Sequence, residues 1–257
     1  MSKGNSSNSD TITITVDKDP FGEGFRLCSG RSIKLEPGLT VLVGCNGAGK
    51  TTLLKRIRSE AKNKSIAVHY YDNLRDGGDK GMGEALYHEE FGMAAMMFTA
   101  SEGEAIGLNL GKMVQKLREF IITGRYRTKY SALEDAFMEV SGNSSFDKNA
   151  KNTKSSGACA EAPMSNYRIL LMDAVDSGYS VDNVIELKDL FKLIIEDAEK
   201  EGKKLFIVIS ANEYELAKNE RCIDVTTGKY ITFKDYDDYA KFILETRKKK
   251  DNRMNKN

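Results

Sequence analysis

A glycine-rich loop is the first feature of this sequence whose residue types could do chemistry. Residues 44–51 read Gly-Cys-Asn-Gly-Ala-Gly-Lys-Thr and fit the pattern G-x-x-x-x-G-K-[ST]. The apolar run from Leu39 to Val43 precedes the loop, and helical spacing follows it. Glycines let the backbone N–H groups of such a loop wrap a phosphate, and the N-terminus of the next helix adds a favourable dipole. The pattern therefore predicts a phosphate-binding loop between a strand and a helix.

The residues of this loop have distinct predicted roles in binding ATP and Mg²⁺. Lys50 would reach the β- and γ-phosphates, Thr51 would ligate Mg²⁺, and Thr52 would help to hold the α-phosphate. The residues that would surround the phosphates with their backbone are Gly44, Asn46, Gly47, Ala48 and Gly49.

A phosphate loop of this kind needs an acid at the end of a buried strand to hold the metal ion. The sequence Leu170-Leu171-Met172-Asp173 supplies one, so Asp173 is the predicted Walker B residue and the second Mg²⁺ ligand. We expect Lys50 and Asp173 to be catalytic, together with Asp176 for the reason given below.

Three motifs together resemble those of ABC-type ATPases. Residues 41–54 closely resemble the Walker A stretch, and Ser101-Glu102-Gly103-Glu104 is similar to the LSGGQ-like signature. Residues 173–178 resemble a Walker B strand that runs into a D-loop, in the Asp-Glu-Val-Asp form of SMC-type proteins with one substitution. The order of the motifs also fits, and the chain looks most like stand-alone ABC ATPases carried by phages and prophages.

This resemblance implies a head-to-tail homodimer with ATP at its interface. Ser101 and Gly103 would touch the γ-phosphate of an ATP molecule bound to the second protomer, at the start of a helix. Taken alone, Ser101 with Glu104 is also an ordinary capping box. Phe21 or Phe25 would stack on adenine, or pack in the core.

Two departures from the family pattern concern catalysis. The glutamate that usually follows the Walker B aspartate is replaced by Ala174. A histidine is expected after the last core strand, but Ser210-Ala211-Asn212 follows it, and Asn212 is a candidate to orient water or sense the γ-phosphate. Loss of a general base typically costs roughly 10²–10⁴-fold in rate, so we expect slow hydrolysis. Asp176 is either a substitute base or a turn residue. The place of the Q-loop glutamine would be taken by Asp72 or Asn73.

The spacing of apolar residues predicts an α/β fold. Continuous apolar runs alternate with helical stretches, which is typical of a mainly parallel sheet covered by helices. Strict alternation from Thr11 to Val16, followed by a second strand from Arg31 to Leu35, predicts an antiparallel β-subdomain before the phosphate loop. The resemblance to ABC-type ATPases narrows the predicted fold class to an ABC-cassette-like P-loop NTPase with this β-subdomain and a short helical subdomain.

The chain divides into one ATPase domain with flexible additions. The expected divisions are a flexible N-terminus (1–10), a single ABC-type domain (11–246) with a helical region (about 84–140) and a mobile, polar insertion (141–166), and a basic C-terminal tail (247–257).

Composition limits the function further. The formal net charge is +1, and no apolar run approaches the length of a membrane span. Four scattered cysteines without a CxxC pair favour a reducing, cytoplasmic location. Taken with the motifs and the resemblance to ABC-type ATPases, this composition leads us to expect an ATP hydrolase whose dimer acts on a protein or DNA partner without membrane insertion. The alternative is a nucleotide-gated switch or scaffold with little hydrolysis. The basic tail is a solvated terminus or a nucleic-acid contact.

Overall fold

A six-stranded sheet forms the centre of the fold in the computed structural model, which describes residues 10–16, 31–72, 114, 117–125 and 165–254. Its strand order is β4-β5-β6-β3-β7-β8, and only the β7–β8 pair is antiparallel. The strands are β3 (Gly38–Val43), β4 (Ala67–Asp72), β5 (Tyr167–Asp173), β6 (Lys204–Ser210), β7 (Arg221–Asp224) and β8 (Lys229–Ile231).

A separate antiparallel pair precedes the sheet, as the alternation of apolar residues predicts. It consists of β1 (Ile12–Val16) and β2 (Arg31–Leu35), with Ile14 opposite Ile33. Both isoleucines are buried and pack in the same cluster as the first helix, α1 (Lys50–Asn63).

Two helices cover opposite faces of the sheet and create two apolar clusters. On one face, α1 contributes Leu54 and Ile57 to a cluster with alternate strand residues. On the other face, α2 (Val181–Lys200) contributes Val184 and Phe191. Full burial of one such side chain stabilises the fold by about 1.5–3 kcal/mol. These clusters hold the carboxyl ends of the strands in place.

Two further helices complete the described fold. The short α3 (Tyr214–Ala217) follows β6, and α4 (Tyr236–Met254) is the last element. The periodicity places α4 at about 236–245, but the helix extends to Met254, so residues assigned to the basic tail continue it. None of the helices described is both long and apolar enough to cross a membrane.

The predicted fold class is confirmed by this arrangement. A mainly parallel sheet carries a strand–loop–helix unit at β3–α1, and an antiparallel pair stands before it. Of the predicted helical region, residues 117–123 form a helix. The expected insertion (141–166) lies almost entirely outside the described residues, as does the expected flexible N-terminus.

Candidate functional site

The candidate site lies where β3, β5 and β6 end. Parallel strands bring their carboxyl ends to one edge of the sheet, the usual position of ligand sites in open α/β folds. Strand β6 lies between β3 and β5, with Ser210 opposite Leu42 and Ile209 opposite Met172. The residues after β6 can therefore contact both the loop after β3 and Asp173 at the end of β5.

The phosphate loop depends on glycine at its first and last turns. Gly44 has φ +155°, and a Cβ there would lie 2.8 Å from Val225 Cγ2 and 3.2 Å from Ala48 Cβ. Gly49 has φ +103° at the start of α1, a conformation that L residues with a side chain rarely adopt. Asn46 and Gly47 are exposed at the tip of the loop.

Lys50 is held inside the loop by two neutral acceptors. Its Nζ donates to the carbonyl oxygen of Gly44 at 2.8 Å and to Oδ1 of Asn212 at 3.0 Å. Burial lowers the pKa of Lys50 from its ordinary value of 10.5, and the negative charge of Asp176 is the largest of the opposing effects. The ammonium group thus lies between the phosphate loop and the end of β6, without a carboxylate hydrogen bond among the described contacts.

Asp173 is fixed by two hydroxyl groups. Its Oδ1 accepts a hydrogen bond from the Ser210 hydroxyl at 2.5 Å, and its Oδ2 accepts one from the Tyr70 hydroxyl at 3.0 Å. Burial, followed by the charge of Asp173, raises the pKa of Tyr70 far above its ordinary value of 10.0. Tyr70 therefore stays a protonated donor at any working pH, and the carboxylate keeps further lone pairs for a ligand.

The chain turns sharply just after Asp173. Ala174 has φ +50°, and its N–H donates to the Ser210 hydroxyl oxygen at 2.8 Å. The Ser177 N–H donates to the Ala174 carbonyl at 3.0 Å and closes the turn. Because its side chain is a methyl group, Ala174 brings no proton acceptor to this position.

Asp176 is buried, with 5% of its surface exposed, and it anchors the segment after β6. Its Oδ2 accepts hydrogen bonds from the N–H groups of Asn212 at 2.5 Å and Glu213 at 2.6 Å. Its Oδ1 is buried without a hydrogen-bond partner. Asp176 thus positions Asn212, whose side chain accepts a hydrogen bond from Lys50.

The donor set of Asp173 and Thr51 fits Mg²⁺. Mg²⁺ takes hard oxygen ligands and is usually bound through one or two carboxylates, with substrate phosphates and water filling the remaining positions. Asp173 offers a carboxylate, and the exposed Thr51 offers a hydroxyl at the start of α1. The described residues contain no group of three or more histidine, cysteine, aspartate or glutamate side chains suited to a metal. Asp173 and Thr51 therefore suit a magnesium site whose remaining ligands are phosphate oxygens and water.

The structure brings most of the predicted residues to one edge of the sheet. Lys50 and Asn212 are in direct contact, and Asp176 and Asp173 both act on the charge of Lys50. Asp72 ends β4 directly opposite Asp173. The predicted residues that lie outside the described part of the chain are Ser101, Gly103, Phe21, Phe25 and Asn73.

Four contributors were missed by sequence reasoning. Tyr70 and Ser210 hold Asp173. Ser210 ends β6, which is a weak signal that could have indicated it, whereas Tyr70 lies within β4. Thr246 and Lys250 of α4 contact the phosphate loop from 201 and 204 residues away, and no local pattern could have indicated them.

Comparison with known proteins leaves the family open. No family model and no curated protein matches this chain. Among solved structures, it is similar to the ADP conformation of MJ1267, an ATP-binding cassette of an ABC transporter. The likeness covers 92% of this chain and 97% of the other, at 15% identity and a TM-score of 0.41. Because so distant a likeness establishes no family, the function rests on the geometry of the site.

Proposed function

We propose that this protein is an ABC-type ATPase that binds MgATP, hydrolyses it slowly and forms an ATP-dependent homodimer acting on a protein or DNA partner. One observation carries the proposal. The Lys50 ammonium group donates a hydrogen bond to the Gly44 carbonyl in a glycine-rich loop. The buried Asp173 ends β5, which is separated from β3 by β6 alone, at the same edge of the sheet.

The loop, the helix and the lysine together suit a phosphate chain. The loop offers backbone N–H groups, and α1 points its N-terminus, with no acidic residue in its first turn, at the same place. Lys50 adds a full positive charge that is partly removed from water. Mg²⁺ on Thr51 and Asp173 would neutralise charge on the β- and γ-phosphate oxygens.

Slow hydrolysis is proposed from the surroundings of Asp173. The next residue is Ala174, which cannot accept a proton, and one oxygen of Asp176 is already occupied by two backbone N–H groups. The other oxygen of Asp176, Oδ1, has no hydrogen-bond partner among the described residues. In this proposal Asp176 acts as a weak substitute base, and Lys50 stabilises the charge that develops on the transferred phosphate.

The dimer is proposed from the sequence motif that lies between the two Walker motifs. Ser101 and Gly103 would complete the ATP site of a second protomer. Light scattering at saturating MgATP should show the mass of a dimer, and Ser101→Arg should prevent its formation without weakening ATP binding to the monomer. A mass that stays that of the monomer would favour the capping-box interpretation.

Calorimetric titration with MgATP tests the phosphate loop. Lys50→Ala should weaken the affinity by about 100-fold or more, the equivalent of about 2.8 kcal/mol. Lys55→Ala removes the same charge from an exposed position on α1 and should change the affinity little. An unchanged affinity in Lys50→Ala would overturn the assignment of the loop.

A nucleotide-gated switch is the second candidate, and Ala174 is the observation that favours it. Such a protein would bind ATP and dimerise while hardly turning it over. Steady-state phosphate release, with Lys50→Ala as the background, separates the two candidates. Release that is no faster from the wild type than from this variant would identify the switch.

A further inference from the structure

The last helix returns to the phosphate loop and is fixed there by a buried threonine. Thr246 of α4 is fully buried, and its hydroxyl oxygen accepts a hydrogen bond from the Cys45 N–H at 3.2 Å. The same hydroxyl donates to the Ile243 carbonyl at 2.8 Å, so both its donor and its acceptor are used. This contact joins α4 to the second residue of the loop.

Lys250 lies one helical turn further along α4 and reaches the tip of the loop. Its Nζ donates to the Asn46 carbonyl oxygen at 3.0 Å. A Cβ placed on Gly47 would lie 3.0 Å from the same nitrogen. Within the described part of the chain, no carboxylate forms an ion pair with Lys250. Lys250 is thus a partly buried residue whose exposed ammonium group has one neutral acceptor, the Asn46 carbonyl, among the contacts described for it.

Two ammonium groups thus lie on the same half of the loop. Lys50 is bound to the carbonyl of Gly44, and Lys250 to the carbonyl of Asn46, two residues along. The Cα atoms of these two acceptors are at most about 7 Å apart, the reach of two extended residues. Like charges so placed repel each other, and both would gain from an anion, because a phosphate oxygen adds a Coulombic attraction that a neutral carbonyl does not provide.

We propose that Lys250 is a second phosphate-binding cation, which exchanges the Asn46 carbonyl for an oxygen of the terminal phosphate of ATP. The inference rests on the proposed function of the loop. We choose the terminal phosphate because Lys250 and Lys50 both bind carbonyl groups in the first half of the loop. Lys50 is assigned to the β- and γ-phosphates. Thr51 and Thr52 stand at the other end of the loop, by the start of α1.

A purely structural contact makes a different prediction. If Lys250 only braced the loop through the Asn46 carbonyl, its loss would weaken ADP and ATP alike, since both use the loop backbone. A cation on the terminal phosphate instead discriminates between the two nucleotides. The ratio of the two affinities is therefore the decisive quantity.

The experiment is calorimetric titration of Lys250→Met with MgATP and with MgADP. We expect the affinity for ATP to fall about tenfold, the effect of losing roughly 1.4 kcal/mol, with at most about a threefold fall for ADP. Lys250→Arg, which keeps the charge, should bind ATP nearly as the wild type does. Lys249→Met removes the same charge from an exposed neighbour on α4 and is the matched control.

Two results would overturn the inference. An equal loss of affinity for ATP and ADP would mean that Lys250 only stabilises the loop backbone. Unchanged affinity for both nucleotides would mean that Lys250 has no role at the site. Lys50→Ala in the same series separates these failures from a failure of the proposed function. If that variant loses ATP binding while Lys250→Met keeps it, the loop assignment stands. If the wild type binds neither nucleotide, both proposals fail.

Discussion

Asp176 has a structural role in the fold and a proposed catalytic role, and one substitution tests both. Its Oδ2 accepts two backbone N–H groups from the segment after β6, and its Oδ1 is the candidate proton acceptor. Asp176→Asn keeps the size of the side chain and one acceptor oxygen but removes the charge. It should therefore lower both stability and turnover, by amounts that can be worked out separately.

The stability loss follows from the two hydrogen bonds. Bonds to charged groups contribute about 1.5–3 kcal/mol each, and neutral ones about half as much. Weakening both should cost about 2 kcal/mol at most, because relief from burying a charge offsets part of the loss. For a domain of this size, that corresponds to a fall in Tm of about 4–8 °C. Thermal unfolding followed by circular dichroism measures it.

The turnover loss tests the substitute base. Removing a general base should lower kcat by about tenfold or more and leave KM for ATP nearly unchanged. Asp224→Asn is the matched control, because Asp224 is also buried and accepts from the Thr226 N–H at 2.7 Å and the Thr227 hydroxyl at 2.8 Å. It should lower Tm similarly without affecting kcat. Ala174→Glu is the complement, and should raise kcat if the missing base alone limits the rate.

Two outcomes would refute this reasoning. An unchanged Tm in Asp176→Asn would show that the two backbone hydrogen bonds do not anchor the segment after β6. A wild-type kcat in Asp176→Asn, measured well below its Tm, would show that the base lies elsewhere.

Three other predictions concern the loop, a thiol and the insertion. In denaturant unfolding, Gly44→Ala should lower the free energy of unfolding by about 1–3 kcal/mol more than Gly202→Ala does. The new Cβ at Gly44 would lie 2.8 Å from Val225, whereas a Cβ at Gly202 would meet nothing within 4 Å. Equal losses in the two variants would contradict this prediction. Burial raises the pKa of Cys222 from 9.0 to about 12, so native protein at pH 8 should resist iodoacetamide at this residue, as read by mass spectrometry with and without denaturant. Since burial favours the neutral thiol, its contribution to stability is present below pH 9 and is lost as the pH rises towards 12. Replacing residues 141–166 by a short linker should leave Tm nearly unchanged, and a fall of many degrees would show that this segment packs.

Local patterns predicted the parts of the fold that local physics determines. The apolar runs that became β3, β5 and β6 are buried on both faces, so their composition alone indicates strands of a parallel sheet. The unit of strand, glycine-rich loop and helix was predictable because the backbone of such a loop demands glycine at fixed spacing. The position of Asp173 was predictable because it ends a run of buried apolar residues.

Contacts between distant residues were not predictable in the same way. The hydrogen bonds of Asp173 with Tyr70 and Ser210 depend on the order of strands in the sheet, which the sequence does not state. The contacts of α4 were missed for another reason. A run of lysines is usually a solvated surface, and nothing in its composition indicates that Lys250 binds a backbone carbonyl or that Thr246 is buried.

The Asn212 side chain occupies the Lys50 ammonium group and would compete for it with a phosphate of ATP. Under the proposed function, a phosphate would replace the Asn212 side chain as the partner of the ammonium group, so the affinity for ATP would report the difference between these two interactions. The backbone of Asn212 would stay in place, because its N–H donates to Asp176 and its carbonyl accepts a hydrogen bond from the Tyr239 hydroxyl at 2.7 Å. Tyr239 belongs to α4, the helix that carries Lys250. Binding of a phosphate in the loop would therefore leave the Asn212 side chain without Lys50, in a segment that is hydrogen-bonded to the last helix.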